Sequence, residues 1–325
     1  MHRPPETPRC PLCGRPPVTR FDRVLDPQSR EAFQIVECAA CGHAQTWPRP
    51  ADVAVYYGAA YYGGRHGFAA RHCVRRRLRR LTAAAGPGDG RRLLDVGCGD
   101  GQFLVHARAR GWQVTGTELN TEMAEQAGLS VCHTLDEAAA RGPFDCVTMW
   151  HSLEHFVEPL AELEAIGELL APDGLLLVAV PDAQGLQARV FGPHWLHLDV
   201  PRHLHHFSRR SLELHLTRTG YVVSCIWHGE FEYDLLGWSQ SALNRWLDGP
   251  NVLFDVLTRR DSKTGPRRRA AHIVSGALLV LPALFPTWWG MLAGGAATLV
   301  VAARRDANTG PRRRTARVVS GTLLE

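Results

Sequence analysis

The chain has 325 residues, enough for one large domain with an appendage or for two domains. Its composition, 45% hydrophobic and 21% charged, excludes a disordered or fibrous protein, and nine cysteines are too few for a disulfide-stapled scaffold. The formal net charge of +5 permits an acidic partner, but Lys263 is the only lysine among 37 basic residues. Such an excess of arginine over lysine is typical of a coding bias in the gene. The net charge alone therefore does not favour a nucleic-acid partner.

The chain start, MHRPPETPRC, lacks the apolar stretch of a secretory signal, so we expect a cytoplasmic and reducing environment. There, isolated cysteines are expected to be small buried hydrophobes, and clustered cysteines are expected to bind metal. The isolated ones are Cys73, Cys98, Cys132, Cys146 and Cys225.

Two C-x-x-C pairs near the N-terminus predict a structural zinc site. The four cysteines are Cys10, Cys13, Cys38 and Cys41. Each pair precedes a glycine that lets backbone amides approach the thiolates, and four thiolates complete a tetrahedral site with no open position. We therefore expect a zinc ribbon over residues 1–50, with Phe33 to Val36 as the return strand of a hairpin. Two alternatives remain: a redox pair, and His43 replacing one cysteine ligand.

Residues 51–90 are expected to join the ribbon to the main domain. The aromatic, glycine-rich segment YYGAAYYGG (56–64) is suited either to covering a ligand mouth or to holding the ribbon in place. The next segment, RHCVRRRLRRLTAAA, predicts a basic helix that ends at GPGDG. Its arginines are either a nucleic-acid-binding surface or a solvated face.

Residues 91–118 predict a buried strand, a glycine turn, a helix and a second strand. This order begins a doubly wound α/β sheet, in which ligands bind beyond the carboxyl ends of the strands. The turn has G-x-G-x-G where a dinucleotide site needs G-x-G-x-x-G, and Asp95 precedes it. A carboxylate there suits a ligand with a cationic amino-acid end. Glu118, at the end of the second strand, is placed to accept hydrogen bonds from two ribose hydroxyls.

In chain order these segments resemble the class I S-adenosylmethionine-dependent methyltransferases over roughly residues 91–305. LDVGCGDG resembles the first motif of that family and GTELN the second. FDCVTMWHSLEHFVEPL (144–160) resembles the fourth strand with its active-site end, and LLAPDGLLLVAVPD (169–182) the fifth strand. The resemblance implies a doubly wound, seven-stranded, Rossmann-like sheet. The cysteine ribbon and the HW..LD.PRH..HFS segment further resemble a bacterial subgroup that includes sugar C-methyltransferases.

The resemblance also implies a site for S-adenosylmethionine. Asp95, Gly97 and Gly99 would face the methionine part, Glu118 the ribose, and residues 150–152 would lie beneath the sulfonium. The expected cofactor-binding residues are Asp95, Gly97, Cys98, Gly99, Gly101, Glu118, Leu119, Trp150 and His151.

Methylation of a hydroxyl or an acidic carbon also requires loss of a proton, and histidine has the pKa best suited to a base near neutral pH. His151 and His155 follow the fourth strand and are candidate bases. Glu154 lies between them and is suited to orienting a ring or to helping hold a cation. Alternatively, His151 bonds the cofactor backbone, and Glu154 and His155 cap the following helix.

The segment HWLHLDVPRHLHHFS (194–208) contains five of the 16 histidines and is expected to cover the acceptor. His203 and His206 are the candidate bases here. Each either takes a proton or holds the segment by bonding Asp199 or the backbone. A second metal site is disfavoured, because Asp199 is the only carboxylate near this segment.

A run of 31 uncharged residues, Ile273 to Ala303, lies near the C-terminus. As one helix it would be about 46 Å long, against roughly 30 Å of hydrocarbon core, and Pro282 and Pro286 are expected to interrupt it. The segment ATLVVAARR (297–305) suits the antiparallel seventh strand of the resembled family.

What precedes that strand is predicted to be a hydrophobic insertion at about 240–293. We expect it to associate with a membrane surface or a greasy substrate through residues 267–293, where tryptophans suit an interface and arginines suit anionic headgroups. A membrane span and burial within the protein or a dimer are the alternatives. Residues 306–325 form a tail that repeats 261–280 and is interpreted as a dispensable duplication.

The sequence thus predicts a methyltransferase with a structural zinc ion. No [ND]-P-P-[YF] tetrapeptide follows the fourth strand, which favours oxygen or carbon over amino groups as acceptors. The expected acceptor is a small-molecule, glycosyl or lipid-linked compound at or near a membrane. One alternative is an RNA methyltransferase that uses the ribbon and the arginine-rich helix; another is a cofactor-binding interaction protein without turnover.

Overall fold

The computed structural model describes residues 8–57, 70–247, 251–258 and 265–306. The strands are β1 (Val18–Leu25), β2 (Ala32–Glu37), β3 (Ala44–Trp47), β4 (Arg92–Val96), β5 (Gln113–Thr117), β6 (Val131–Cys132), β7 (Phe144–Trp150), β8 (Leu170–Pro181), β9 (His205–His206), β10 (Tyr221–His228) and β11 (Thr298–Arg305). The helices are α1 (Ala70–Ala85), α2 (Gln102–Arg108), α3 (Glu122–Gln126), α4 (Leu135–Ala139), α5 (Pro159–Leu169), α6 (Leu186–Phe191), α7 (Arg209–Arg218), α8 (Phe231–Trp246), α9 (Val252–Leu257) and α10 (Pro266–Leu292).

The larger sheet has seven strands in the order β10-β11-β8-β7-β4-β5-β6. Strands β4 to β8 pair in parallel, and β11 is antiparallel to both of its neighbours. The chain moves from β4 through β5 to β6 at one edge and then returns to β7 on the other side of β4. Ligands bind where the strand order reverses in this way. The predicted doubly wound, seven-stranded sheet is confirmed, with its antiparallel seventh strand.

Both faces of this sheet are covered, which explains the nearly continuous apolar runs of β7 and β8. On one face the core includes side chains of α5 and α7, such as Leu163 and Leu212. On the other face it includes side chains of α1 and α2, such as Leu78 and Leu104. The basic helix predicted after residue 70 therefore packs directly against the sheet.

The smaller sheet has four strands in the order β1-β2-β3-β9. Strands β1 and β2 form the hairpin predicted for the cysteine-rich region. The fourth strand comes from the histidine-rich segment, because His205 and His206 pair with Gln45 and Ala44. The N-terminal region and the segment expected to cover the acceptor thus share one sheet.

Helices α8, α9 and α10 lie in the chain between β10 and β11, in the region of the predicted insertion. The expectation that Pro282 and Pro286 interrupt the apolar run was wrong, because α10 continues through both. An interior proline removes a hydrogen bond from the carbonyl four residues earlier, which kinks a helix without necessarily ending it. For Pro282 that carbonyl belongs to Leu278, which is 72% exposed and within reach of water.

Parts of three predicted segments lie outside the described residues: 58–64 of the aromatic loop, 259–264 of the hydrophobic insertion, and the tail from 307. The lid role of that loop, the repeated tail and the domain boundaries stay predictions.

Candidate active site

The glycine turn after β4 has the backbone that its sequence predicts. Gly97, Gly99 and Gly101 have φ angles of 74°, 59° and 71°, in the left-handed region that favours glycine. A Cβ atom on Gly97 would lie 2.8 Å from the Cβ of Ser152. Glycine therefore allows the turn to lie directly against the segment that follows β7.

Two buried carboxylates hold this turn. The Asp95 carboxylate accepts a hydrogen bond from the Thr148 hydroxyl at 2.6 Å, and burial raises the pKa of Asp95 to about 7. The Glu118 carboxylate accepts hydrogen bonds from the backbone N–H groups of Gly99 at 2.8 Å and Leu119 at 2.9 Å. Glu118 is thus fixed at the end of β5, next to the turn.

A cavity opens beyond the carboxyl ends of β4 and β7, at the reversal of strand order. It is lined by six of the predicted cofactor residues: Asp95, Gly97, Cys98, Gly99, Trp150 and His151. His151 is also a candidate base, and two further candidate bases, His155 and His203, line the same cavity. The structure therefore brings together the turn, the segment after β7 and the histidine-rich segment. Gly101, Glu118 and Leu119 are not part of this wall, although Glu118 bonds to the turn.

His206 does not line the cavity. It is 3% exposed, and its Nε2 lies 3.0 Å from the Thr46 hydroxyl oxygen in the smaller sheet. Burial and neighbouring histidines lower the pKa of His206 well below its ordinary value. For this residue the geometry favours holding the segment over accepting a proton from an acceptor.

Glu154 lies at the centre of the remaining candidates and is completely buried. Its Oε1 is 3.5 Å from Nδ1 of His151 and 4.0 Å from Nε2 of His203. The rings of His155 and His203 are 4.8 Å apart between centroids. Residues Leu153–His155 form a single 3-10 turn. The alternative that Glu154 and His155 cap the following helix, α5, was therefore wrong.

Glu230, just before α8, belongs to this site and was missed in the sequence. It is completely buried, and its Oε2 lies 2.6 Å from Nε2 of His151. Its Oε1 lies 2.8 Å from Nη2 of Arg76 and 3.5 Å from Nη1 of Arg80. The sequence offered one weak signal, an acidic residue directly after the sixth strand of the sheet.

The arginines of α1 are consequently not a uniform solvated face, which corrects one of the two alternatives. Arg77 and Arg80 are 6% and 8% exposed, and the Arg77 guanidinium lies 5.0 Å from the centre of the Trp150 ring. These side chains point into the domain. Arg71, Arg75 and Arg79 of the same helix are exposed, so only part of the helix is the solvated face that the sequence suggested.

The cavity histidines differ in charge at neutral pH. Burial opposes protonation of His151, but the neighbouring carboxylates of Glu154 and Glu230 raise its pKa above the ordinary value. Burial and the neighbouring His203 lower the pKa of His155 to about 4. His151 is therefore suited to carrying a positive charge and His155 to being neutral.

The four N-terminal cysteines form one cluster, with sulfur atoms within 4.8 Å of one another. Sγ of Cys10 lies 3.4 Å from that of Cys41, and Sγ of Cys13 lies 3.4 Å from that of Cys38. Four thiolates at about 2.3 Å from a tetrahedral zinc ion would be about 3.8 Å apart, so the donor set fits zinc.

The two cysteine turns are built alike. The backbone N–H of Gly14 donates to the carbonyl of Cys10, and that of Gly42 donates to the carbonyl of Cys38, both at 2.8 Å. His43 is directed elsewhere, because its Nε2 lies 3.0 Å from Nδ1 of His205. This geometry does not support His43 as a replacement ligand.

Comparisons with known proteins agree with this architecture. A family model described as "Methyltransferase domain" matches residues 70–226. Relatives include ubiquinone biosynthesis O-methyltransferases of Cereibacter sphaeroides, 32% identical over 136 residues, which cover 38% of this chain and 55% of the relative. The relative from Xanthomonas campestris pv. campestris is 36% identical, over 37% of this chain and 56% of its own length. The chain thus spans little more than half the length of these relatives.

Similar solved structures include a SAM dependent methyltransferase from Archaeoglobus fulgidus, with a TM-score of 0.44, 18% identity, and coverage of 72% of this chain and 94% of that one. A putative sarcosine dimethylglycine methyltransferase from Galdieria sulphuraria has a TM-score of 0.47, 14% identity, and coverage of 73% and 86%. The family match identifies a methyltransferase domain over residues 70–226 of this chain, and most strands of the seven-stranded sheet lie in the same part of the chain.

Proposed function

We propose that this protein transfers a methyl group from S-adenosylmethionine to an acceptor bound in the cavity beyond β4 and β7. One observation carries the proposal: the glycine turn expected to hold the cofactor and the histidines expected to face the acceptor line the same cavity. A cavity shared in this way would place methyl donor and acceptor side by side, which is the main requirement for transfer from an activated donor.

The residues of the turn fit the cofactor. Gly97 and Gly99 leave room for a ligand to approach the backbone, and the Asp95 carboxylate suits a cationic amino group. The cofactor itself would supply a methyl group on a sulfonium ion. Glu118 would accept hydrogen bonds from the ribose, and Trp150 and His151 would line the space beneath the sulfonium.

Oxygen is the favoured methyl acceptor, because the matched relatives are named O-methyltransferases. An acidic carbon is the second possibility. Among the candidate bases, His151 is least suited, since its bonds with Glu230 and Glu154 favour the protonated ring. His155 and His203 line the cavity and are the residues best placed to act on an acceptor proton.

The acceptor is proposed to be a small-molecule, glycosyl or lipid-linked compound reached at a membrane surface, because α10 has two unlike faces. The exposed face carries large apolar residues, 57–76% exposed: Leu278, Leu281, Phe285, Trp288, Trp289 and Leu292. The opposite face is buried against the domain through His272, Gly276, Ala283, Thr287 and Gly290.

This arrangement favours α10 lying on a membrane over crossing it. Among the described residues, α10 is the one helix long and apolar enough to span a bilayer. However, its buried residues extend from His272 to Gly290, so that insertion would detach nearly the whole helix from α8 and α9. Surface binding would use only the exposed face, with Arg267 at the helix start near anionic headgroups.

Calorimetric titration with S-adenosylmethionine tests the core of the proposal. Intact protein is expected to bind, and Asp95→Ala and Glu118→Ala are expected to bind at least about tenfold more weakly. No binding by the intact protein, or binding unchanged in both variants, would overturn it. Release of S-adenosylhomocysteine in the presence of an acceptor would exclude the interaction protein without turnover.

Sedimentation with vesicles containing anionic phospholipid tests the membrane surface. The triple variant Leu281→Ser, Phe285→Ser, Trp288→Ser should lose vesicle binding. The control variant Val18→Ser, Val55→Ser removes exposed apolar side chains away from α10 and should retain it. Equal vesicle binding by both variants would contradict membrane association. So would a wild type that binds no vesicles and is a dimer, if the triple variant is a monomer.

A further inference from the structure

The environment of Glu154 is incomplete. The side chain is completely buried, and among the described residues neither carboxylate oxygen has a hydrogen-bond partner. The nearest nitrogen is Nδ1 of His151, 3.5 Å from Oε1 of Glu154, and the other nitrogen of that ring, Nε2, lies 2.6 Å from Glu230. Two buried carboxylates therefore share one imidazole ring. A buried carboxylate needs positive or donor partners, so this arrangement indicates a further positive partner.

The hydrogen bonds of His155 and His203 show which nitrogen of each ring faces a ligand. Nδ1 of His155 lies 2.9 Å from the carbonyl oxygen of Arg202, and Nδ1 of His203 lies 2.9 Å from that of His197. A carbonyl oxygen only accepts, so a neutral His203 carries its proton on Nδ1 and leaves Nε2 as an acceptor. Nδ1 of His155 also lies 2.8 Å from the Tyr57 hydroxyl oxygen, which can accept from the same N–H, so the Arg202 carbonyl directs the His155 ring in the same way. Metal-binding histidines are oriented by this kind of bond.

Two hydrogen-bond acceptors, one on His203 and one on Glu154, then face each other. Nε2 of His203 lies 4.0 Å from Oε1 of Glu154, and no hydrogen atom is available between them when the ring is neutral. One ligand atom each from Glu154, His155 and His203 lie within 4.8 Å of one another. His155 and His203 also line the cavity, so the cluster has an open side.

We propose that Glu154, His155 and His203 bind a divalent transition-metal cation such as Zn²⁺, at a second site separate from the four cysteines. Two imidazoles and one carboxylate suit such an ion, and three protein ligands leave a coordination position for another molecule. This proposal departs from the sequence-based expectation, which disfavoured a second metal site. That expectation counted only carboxylates near the histidine-rich segment, whereas Glu154 comes from the segment after β7.

The role of this site in methyl transfer rests on the proposed function, although cation binding itself does not. The open position faces the cavity and would receive an oxygen atom of the acceptor. A cation lowers the pKa of a hydroxyl that it binds. His155 and His203 would then be positioning residues that hold the cation, and the site would select acceptors with a hydroxyl group able to bind metal.

Metal content tests the proposal directly. Protein stripped with chelator under reducing conditions and then titrated with Co²⁺ should bind two equivalents per chain. Cobalt held by four thiolates has strong sulfur-to-metal charge-transfer absorption, whereas cobalt held by nitrogen and oxygen has only weak ligand-field bands. Glu154→Gln and His203→Gln should each lose one equivalent together with the weak bands. His194→Gln, which changes a histidine of the same segment that does not line the cavity, should retain both.

A wild-type protein that binds only one equivalent, or Glu154→Gln and His203→Gln variants that keep two, would overturn the cation site. Calorimetry with S-adenosylmethionine on the same samples separates this outcome from the proposed function. Variants that lose one cobalt ion but still bind the cofactor are folded and support the site. A wild type that binds two cobalt ions but no cofactor would contradict the methyltransferase proposal alone.

Discussion

Asp95 and Glu118 show how two buried carboxylates next to one turn acquire different properties. Glu118 accepts hydrogen bonds from two backbone N–H groups. Asp95 accepts a hydrogen bond from the Thr148 hydroxyl, and burial raises the pKa of Asp95 to about 7. The negative charge of Asp95 is therefore unfavourable without a cationic ligand, as expected of a residue that binds one.

Asp95→Asn should change the pH dependence of stability of the cofactor-free protein. The folded-state pKa of about 7 lies above the unfolded value of 3.8, so the contribution of Asp95 is full below pH 3.8 and is lost as the pH rises through about 7. The free energy of unfolding of the wild type, relative to that of Asp95→Asn, should fall by about 1 to 2 kcal/mol between pH 5.5 and 8. Urea denaturation measures this, and a pH-independent difference would contradict it.

Glu230 should be one of the most important single side chains for stability. It is completely buried against Arg76, Arg80 and His151, and removing one partner of a buried charge network typically costs about 3 to 5 kcal/mol. We expect Glu230→Ala to lower the free energy of unfolding by that amount in urea denaturation.

The control is Glu213→Ala, which removes an exposed carboxylate 3.0 Å from Arg209 on α7. Exposed pairs contribute less than about 1 kcal/mol. Similar effects of the two substitutions would show that the network around Glu230 does not stabilise the domain.

At the scale of elements, the turn between β4 and α2 depends on one close contact. Gly97 has a left-handed φ of 74°, and an added Cβ would lie 2.8 Å from the Cβ of Ser152. Gly128 has a similar φ of 70°, but an added Cβ would meet nothing within 4 Å. The two glycines therefore separate backbone strain from steric contact.

Gly97→Ala should destabilise the protein by at least about 1 kcal/mol more than Gly128→Ala, because both carry left-handed strain and only Gly97→Ala adds a clash. Gly97→Ala should also weaken S-adenosylmethionine binding at least tenfold, with Gly128→Ala close to the wild type. Thermal denaturation and calorimetry measure the two effects. Equal effects of both substitutions would show that the Ser152 contact is unimportant.

Helix α10 is continuous and apolar, and one of its faces packs against the rest of the domain. Its buried face contains small residues such as Gly276, Ala283 and Gly290, which allow close packing. Its exposed face contains the large residues, including Phe285 and Trp288. This division, rather than total hydrophobicity, supports a surface role over a span.

At the scale of the whole molecule, the smaller sheet couples the cysteine cluster to the cavity. Strand β3 follows Cys41 and pairs with β9, and the Thr46 hydroxyl donates to the carbonyl oxygen of His203 at 2.6 Å. His203 in turn lines the cavity. Loss of order around the cysteines should therefore reach the acceptor side of the site.

Cys38→Ser should increase amide hydrogen exchange in two regions distant in sequence, residues 10–47 and 203–208. The reason is that β9 loses its pairing strand when the region around the four cysteines unfolds. Exchange in β4 and β7 should change little. Cys225→Ser, in the half-buried part of β10, is the control. Increased exchange confined to residues 10–47 would show that the two regions are not coupled.

Local patterns predicted a doubly wound α/β sheet and six of the residues that line the cavity, and the family resemblance implied the seven strands. Buried parallel strands require long apolar runs, and a tight turn requires glycines, so both leave a local pattern. The clustering of the C-x-x-C pairs could be predicted in the same way, because each pair places two thiols on one turn. These features could be predicted because short-range geometry determines them.

Tertiary structure alone decided which side chains meet in the cavity. Glu154 faces His203 and Glu230 faces His151 across 49 and 79 positions of sequence, and His206 turns away to join the smaller sheet. No local pattern encodes such meetings, because they depend on how strands are ordered and how loops cross the sheet edge. Arg76 and Arg80 of α1 are a further example, because one buried glutamate, Glu230, holds them inward while other arginines of the same helix are exposed.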